Sequence, residues 1–134
     1  MISIIIRTKN EERWITPCLQ AVFGQDVKDI EVIVVDNHST DKTVEKAKRF
    51  PVKVLDVDDY LPGKALNVGF NAAKGEFIVC LSAHCIPVNG QWLSNLLMNF
   101  KEKDVAGVYG RQEPMSFSSD FDKRDLLITF GLDR

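Results

Sequence analysis

Apolar residues along this chain follow two alternating habits: short runs of strand length, and longer stretches with a helical period. Residues 2–7, 30–35, 52–57 and 77–81 are apolar-rich runs, the last continuous from Phe77 to Leu81, as expected for strands covered on both faces. Between them lie helical spacings. Trp14, Cys18, Ala21 and Val22 predict a helix over 13–23 closed by Gly24, and Val44 with Ala47 a second that ends before Pro51. Leu66, Phe70 and Ala73 predict a third over 64–73, stopped by Gly75. A further helix carries Trp92 or Leu93, Leu96, Leu97 and Phe100, and 105–109 reads as a fifth strand. From Gly110 the pattern loosens into loop, with one amphipathic helix over 122–130.

Strands alternating with helices predict an α/β fold: a mostly parallel, Rossmann-like sheet with helices on both faces, joined by right-handed crossovers. At 134 residues the chain fits a single domain, 1–134, and 45% hydrophobic with 27% charged residues is ordinary for a globular protein. A net charge of −2 argues against a sequence-independent nucleic-acid binder, so no nucleic-acid partner is expected, although it leaves room for a local basic pocket for one phosphate group. The three cysteines, Cys18, Cys80 and Cys85, have no regular spacing, and Cys80 within an apolar strand reads as a small buried hydrophobe. The first residues lack the form of a signal peptide, and nothing approaches the ~18 apolar residues of a membrane span. With no transmembrane segment and this cysteine usage, the expected location is cytoplasmic, with any membrane association supplied by parts or partners outside these residues.

Polar residues cluster where the predicted strands end: Arg7-Thr8 after the first, Asp36-Asn37 after the second, Ser82-Ala83-His84 after the fourth. A parallel sheet places these on one rim, where open α/β sheets hold their ligands. There a carboxylate can accept hydrogen bonds from a base or ribose, and Arg7, Lys64 or Arg111 can neutralise phosphate. Each has a plainer alternative. Asp36 could cap the helix that follows Ser39-Thr40-Asp41, Arg7 could snorkel, Lys64 could be a solvated first-turn residue, and His84 a hydrogen-bonded loop histidine. Trp14 and Trp92 read as packing residues, and Asp56-Val57-Asp58-Asp59 as a solvated loop. A zinc site from His38, His84, Cys80 and Cys85 is the alternative from chemistry alone, but no C-x-x-C pair fixes its geometry. The chain lacks both G-x-G-x-x-G after its first strand and the P-loop motif, which argues against dinucleotide and P-loop enzymes.

Four segments in register, Ser3-Ile4-Ile5-Ile6-Arg7-Thr8-Lys9-Asn10-Glu11, Val34-Val35-Asp36-Asn37-His38-Ser39-Thr40-Asp41, Asn67-x-Gly69 and Ala73-x-Gly75-Glu76, resemble family 2 glycosyltransferases over nearly the whole chain. The resemblance implies a GT-A fold and inverting transfer of a sugar from a nucleotide-diphosphate donor to an acceptor hydroxyl. It implies a bacterial protein of polysaccharide biosynthesis, with a saccharide or lipid-linked acceptor. Thr8 and Asp36 become expected contacts to the nucleoside, beside Asn37, and Asn67 falls in the segment near the donor phosphates, with Ser82 at the rim. An aspartate suits the ring N–H of uracil or thymine, but the base itself is not legible.

The sequence departs from the family at two places. Where the family carries Asp-x-Asp for a divalent cation, this chain has Ser82-Ala83-His84. Magnesium prefers oxygen ligands, so of these only His84 offers a candidate ligand, to manganese or a softer ion. Lys64 and Arg111 could instead stabilise the leaving diphosphate. The segment carrying the family's catalytic base has no counterpart: Asp120, Asp122 and Asp125 come too early, none is assigned, and the chain is expected to be the donor-binding half with the acceptor half missing. Apolar surface left by that half would favour self-association into a homo-oligomer. The alternative function is a catalytically silent nucleotide-sugar-binding or assembly module.

Overall fold

The computed structural model describes residues 1–102 and 104–131. They form two compact units, Met1–Ser94 and Asn95–Arg134. The first holds β1 (Ile2–Thr8), α1 (Ile15–Phe23), β2 (Ile30–Asp36), α2 (Thr43–Ala47), β3 (Lys53–Asp56), α3 (Pro62–Ala72), β4 (Phe77–Ser82) and the start of α4 (Trp92–Leu97). All four strands are parallel, in the order β3-β2-β1-β4. β1 and β2 are central, and their middles, Ile4–Ile6 and Val32–Val35, are apolar and buried because both faces are covered.

Alternation along the strands sorts the core into two layers. Ile5, Ile33 and Val35 face α3, where they pack with Val57 and Ala65 and with partly buried Leu55, Tyr60, Leu66 and Ile78. Ile4, Ile6, Val32 and Val34 belong to the opposite face, and the buried side of α1 is Ile15, Cys18, Leu19 and Val22, with α1 in contact with α2. Enclosure of Cys18 in this layer pushes its thiol up to about 12, so it serves as a small hydrophobe. Buried Gln25 ties the layer to α4: its side-chain amide donates to Ala21 O (2.9 Å) and Asn89 O (2.8 Å) and accepts from Leu93 N (3.0 Å).

Several sequence expectations need correction. α3 turns Ala65 and Gly69 inward, not Phe70, which is 60% exposed. Small residues let the helix lie directly on the sheet: a Cβ at Gly69 would meet Ile5 Cγ2 at 2.3 Å and Val35 Cγ2 at 3.2 Å. Gly75 is not the helix stop, because α3 has ended at Ala72. It permits a close backbone approach to β1, where its N–H donates to Ser3 Oγ (2.8 Å) and a Cβ would lie 2.5 Å from Ser3 N. Ser3 Oγ in turn donates to Glu31 (2.5 Å), and with Lys74 N this holds the Glu31 carboxyl below its usual range. α3 begins two residues before the expected start at 64, with Pro62 in its first turn, where proline's missing N–H costs nothing. Among the described residues β4 is an edge strand that pairs with β1 alone, so it is mostly half-buried and Cys80 is exposed.

The second unit holds the end of α4, a 3₁₀ turn Met98–Lys101 and α5 (Asp120–Phe130), whose N-cap Ser119 accepts from Asp122 N at 3.2 Å. The expected strand at 105–109 is not formed. A strand requires a partner, and a five-residue run with Gly107 at its centre brings little β preference of its own. α5 buries no residue and exposes Phe121, Leu127 and Ile128, so its amphipathic pattern has no covered face. No helix among the described residues is long and apolar enough to cross a membrane.

Candidate functional site

The chain leaves β1 to one side for β2 and β3, then returns to its other side for β4, so the topological switch point lies between β1 and β4. In open α/β sheets the ligand crevice lies outside the carboxyl ends of the strands at such a point. Register brings the predicted polar residues together there: Thr8 pairs with Asp36, and Arg7 with Ser82. Thr8, Asp36, Asn37 and Ser82 are all buried, an unusual density of enclosed polar side chains for a sheet rim.

Asp36 does not cap α2, which starts seven residues later behind Lys42. Its carboxylate accepts from Ser39 N (2.8 Å) and Ser39 Oγ (2.5 Å), which fixes its orientation and leaves lone pairs for a further donor. Asn37 N donates to Thr8 O at 3.0 Å. With its amide turned so that both ends meet partners, Asn37 donates to Val57 O (3.3 Å) and accepts from Lys9 Nζ (3.1 Å). Thr8 is the anomaly: only 3% exposed, its Oγ1 has no hydrogen-bond partner among the described residues. An enclosed hydroxyl left unpaired costs about 1–3 kcal/mol, which a bound ligand can recover.

Behind these residues the loop after β1 is stitched to the loop after β2. Asn10, at φ 52°, donates from its N–H to Ser39 Oγ and accepts from Thr40 N on its side chain, both at 2.8 Å. Glu11 N donates to Thr43 Oγ1 (2.7 Å), Glu12 N to Asp41 (3.1 Å), and Lys42 N to Glu12 Oε2 (3.1 Å). Burial works against the Asp41 charge, but donors from Thr43 and Glu12 outweigh it and hold the carboxyl below its usual range. The rim is therefore a pre-formed wall of backbone and short polar side chains.

Arg7 Nη1 donates to Tyr60 Oη at 2.8 Å, so the guanidinium is held by the loop that follows β3. Lys64 stands in the first turn of α3, close to that loop, with Asp59 4.0 Å from its Nζ. Asn67 is exposed on α3, three residues after Lys64. Arg111, 3.7 Å from Glu113, belongs to the second unit. His38, at φ 47°, pairs through Nε2 with Asp58 Oδ1 at 2.6 Å, and that hydrogen bond, with Asp56 and Asp36 nearby, raises its pKa.

His84 follows β4 and reaches back across the switch point, its Nδ1 2.7 Å from Glu11 Oε1. Glu11 was not singled out from sequence, although the polar run Lys9-Asn10-Glu11-Glu12 directly after an apolar strand marks the loop that carries it. Ser39 and Tyr60, which orient Asp36 and Arg7, were missed as well, because each is a long-range partner. The end of β4 fits a divalent cation poorly. Ser82 offers a buried hydroxyl, the Glu11 carboxylate is engaged by the ring, and no group of three His, Cys, Asp or Glu among the described residues could hold a metal. The zinc alternative fails on the same ground.

Comparison with known proteins identifies the family and the fold. The family description "Glycosyl transferase family 2" matches residues 3–131. The chain is 33% identical over 123 residues to a dolichyl N-acetyl-alpha-D-glucosaminyl phosphate 3-beta-D-2,3-diacetamido-2,3-dideoxy-beta-D-glucuronosyltransferase of Methanococcus voltae, covering 81% of this chain and 38% of that protein. Among solved structures it resembles Staphylococcus aureus TarS in complex with UDP-GlcNAc, with TM-score 0.67 and 29% identity over 86% of this chain and 37% of that one. It also resembles a mannosyltransferase of Pyrobaculum calidifontis in complex with GDP-Man and Mn2+, with TM-score 0.63 and 28% identity over 72% of this chain and 31% of that one. The chain thus spans 31–38% of the length of these three relatives, and over that span it has the GT-A fold and belongs to glycosyl transferase family 2.

Proposed function

We propose that these residues form the donor-binding part of an inverting glycosyltransferase, with the nucleoside at Thr8, Asp36 and Asn37 and the diphosphate outside the ends of β1 and β4. The observation that carries this reading is the buried, pre-oriented polar rim at the switch point, with Thr8 Oγ1 enclosed and unpaired. Asp36, fixed by Ser39, is suited to accept the ring N–H of a pyrimidine or a ribose hydroxyl. Arg7 and Lys64 supply positive charge near the rim for the phosphates.

In the reaction the acceptor oxygen attacks the anomeric carbon. The bond from that carbon to the diphosphate oxygen breaks, its electron pair departs with the nucleoside diphosphate, and the acceptor proton passes to a base. We assign no residue of this chain as that base. What these residues contribute is positioning and stabilisation of the leaving charge. The acceptor is a saccharide or lipid-linked hydroxyl, and the setting is cytoplasmic.

Calorimetric titration of the 134-residue chain with UDP, GDP and dTDP tests the reading. Saturable binding of one of them, weakened by Asp36→Ala, is the expected result. If folded protein binds none, the donor-site reading fails. Binding of an intact nucleotide-sugar that is neither hydrolysed nor transferred, even by a longer chain carrying the acceptor half, favours a silent binding module, the reading that loss of Asp-x-Asp supports.

A further inference from the structure

We infer that Arg7 and Tyr60 together form the subsite for the donor diphosphate, with Tyr60 placing the Arg7 guanidinium and adding its own O–H as a second donor to the phosphate oxygens. The inference rests on the donor-site reading above and deepens it by naming the side chains that hold the phosphates.

Alternation along β1 puts Arg7 on the same face as Ile5, the face covered by α3, while Thr8 points to the other. Register sets Ser82 beside Arg7 on that face, across the switch point, where Ser82 contributes a buried hydroxyl. Arg7 is half-buried, yet among the described residues it has no carboxylate partner; its guanidinium is held by the 2.8 Å hydrogen bond from Nη1 to Tyr60 Oη. A structural ion pair would neutralise this charge, whereas a phenol fixes the group and leaves the charge uncompensated. Lys64 is by contrast exposed, with Asp59 4.0 Å from its Nζ.

The direction of the Arg7–Tyr60 hydrogen bond is fixed, because a guanidinium carries N–H donors and no acceptor. Tyr60 Oη therefore accepts, and its own proton is left to donate elsewhere; it meets no acceptor among the described residues. Tyr60 is itself well placed. Its ring packs against the core on the α3 side, and its loop is tied to β2 by Val57 N donating to Asp36 O (2.9 Å) and by Asp58 Oδ1 with His38 Nε2 (2.6 Å). Arg7 is also close enough to act on the Cys85 thiol in the turn after β4, so its charge is felt on both sides of the switch point. A pre-placed set of N–H and O–H donors with uncompensated positive charge suits a diphosphate, whose oxygens accept and carry negative charge. The two faces of the sheet then divide the ligand, with Thr8 and Asp36 at the nucleoside and Arg7 and Tyr60 at the phosphates.

The experiment is calorimetric titration of the 134-residue chain with UDP beside uridine and GDP beside guanosine. The chains compared are the parent, Tyr60→Phe, Arg7→Lys, Arg7→Ala and the double variant Arg7→Ala with Tyr60→Phe. Tyr60→Phe removes one oxygen and keeps the ring against the core. It should weaken diphosphate binding by about tenfold, the worth of one hydrogen bond to a charged group, and leave the nucleoside unchanged. Arg7→Lys, which keeps the charge without the planar fork, should lose less than Arg7→Ala. In the Arg7→Ala background Tyr60→Phe should cost less than in the parent, because Tyr60 acts partly through the guanidinium.

A general structural disturbance would lower nucleoside and diphosphate binding together, so the diphosphate-to-nucleoside ratio isolates the phosphates. An unchanged ratio in Tyr60→Phe or in Arg7→Ala overturns the inference. Full additivity in the double variant overturns it too, since Tyr60 would then not be placing Arg7, and in each of these cases the donor-site reading survives. If neither nucleosides nor diphosphates bind to folded chain, the donor-site reading fails and this inference fails with it.

Discussion

Replacing Gly75 by alanine tests the contact that joins the α3–β4 connection to the first strand. The added Cβ would sit 2.5 Å from Ser3 N, 2.7 Å from Ser3 Oγ and 2.9 Å from Ile2 C. Two of these three neighbours are backbone atoms of a central strand, which cannot yield by changing rotamer. The connection must retreat, and retreat breaks the 2.8 Å hydrogen bond from Gly75 N to Ser3 Oγ. Overpacking costs about 1–3 kcal/mol, and the lost hydrogen bond about 1 kcal/mol. Reduced entropy of the unfolded chain returns ~0.4–1 kcal/mol. The net expectation is destabilisation by about 1–3 kcal/mol, a fall in Tm of roughly 4–11 °C for a chain of this size. Gly63, in the first turn of α3, is the matched control: nothing lies within 4 Å of its added Cβ, so Gly63→Ala should be neutral or stabilise by up to ~1 kcal/mol. Urea and thermal unfolding of both variants beside the parent make the measurement. Equal stability of Gly75→Ala and parent would show that the close approach to Ser3 does not exist in solution.

Further outcomes follow from other parts of the structure. Thr8→Val removes an enclosed hydroxyl that has no partner, so the unliganded chain should hold or gain about 0–2 kcal/mol in urea unfolding while nucleotide affinity drops roughly tenfold; unchanged affinity would detach Thr8 from the site. Leu19→Ala, in the fully buried face of α1, should cost about 2–5 kcal/mol on the same assay, and a cost under ~1 kcal/mol would mean that this layer is not packed as described. The His38 imidazole should titrate above its ordinary 6.5 in an NMR pH series, chiefly through Asp58, and return toward it in Asp58→Asn. Because its folded pKa is the higher one, the stability this pair adds is fully present below pH 6.5 and is lost as pH rises through the folded value. Glu31 runs the other way: its pKa is depressed, so its contribution is present above the unfolded value and disappears as acid titrates through the folded one.

The central strands were legible because β1 and β2 are buried on both faces along Ile4–Ile6 and Val32–Val35, whereas the unbroken apolar run Phe77–Leu81 belongs to β4, a half-buried edge strand. α3 was located, and Leu66 and Ala73 pack against the core as their spacing suggests, but Phe70 does not. Its fully buried positions are Ala65 and Gly69, and small residues that permit close packing carry little hydrophobic signal, whereas exposed Phe70 carries a strong one. The run 105–109 shows the reverse error, a local preference with no strand to pair against. Chain order was enough to place Thr8, Asp36, Asn37, Ser82 and His84 on one rim, since all sit at parallel strand ends. What holds them was not legible: Ser39 on Asp36, Tyr60 on Arg7 and Glu11 on His84 are partnerships made by the fold, the last across 73 residues.

The central claim is that a nucleoside diphosphate binds at the ends of β1, β2 and β4. Its most direct test is a two-dimensional amide NMR spectrum of the labelled chain, with backbone assignments, titrated with UDP and separately with GDP. One nucleotide should shift the amides of Thr8, Asn37, Ser82 and His84 together along a single saturation curve, with those of β3 and α5 left in place. Shifts confined to α5, or no shift with either nucleotide at millimolar excess, would contradict the account.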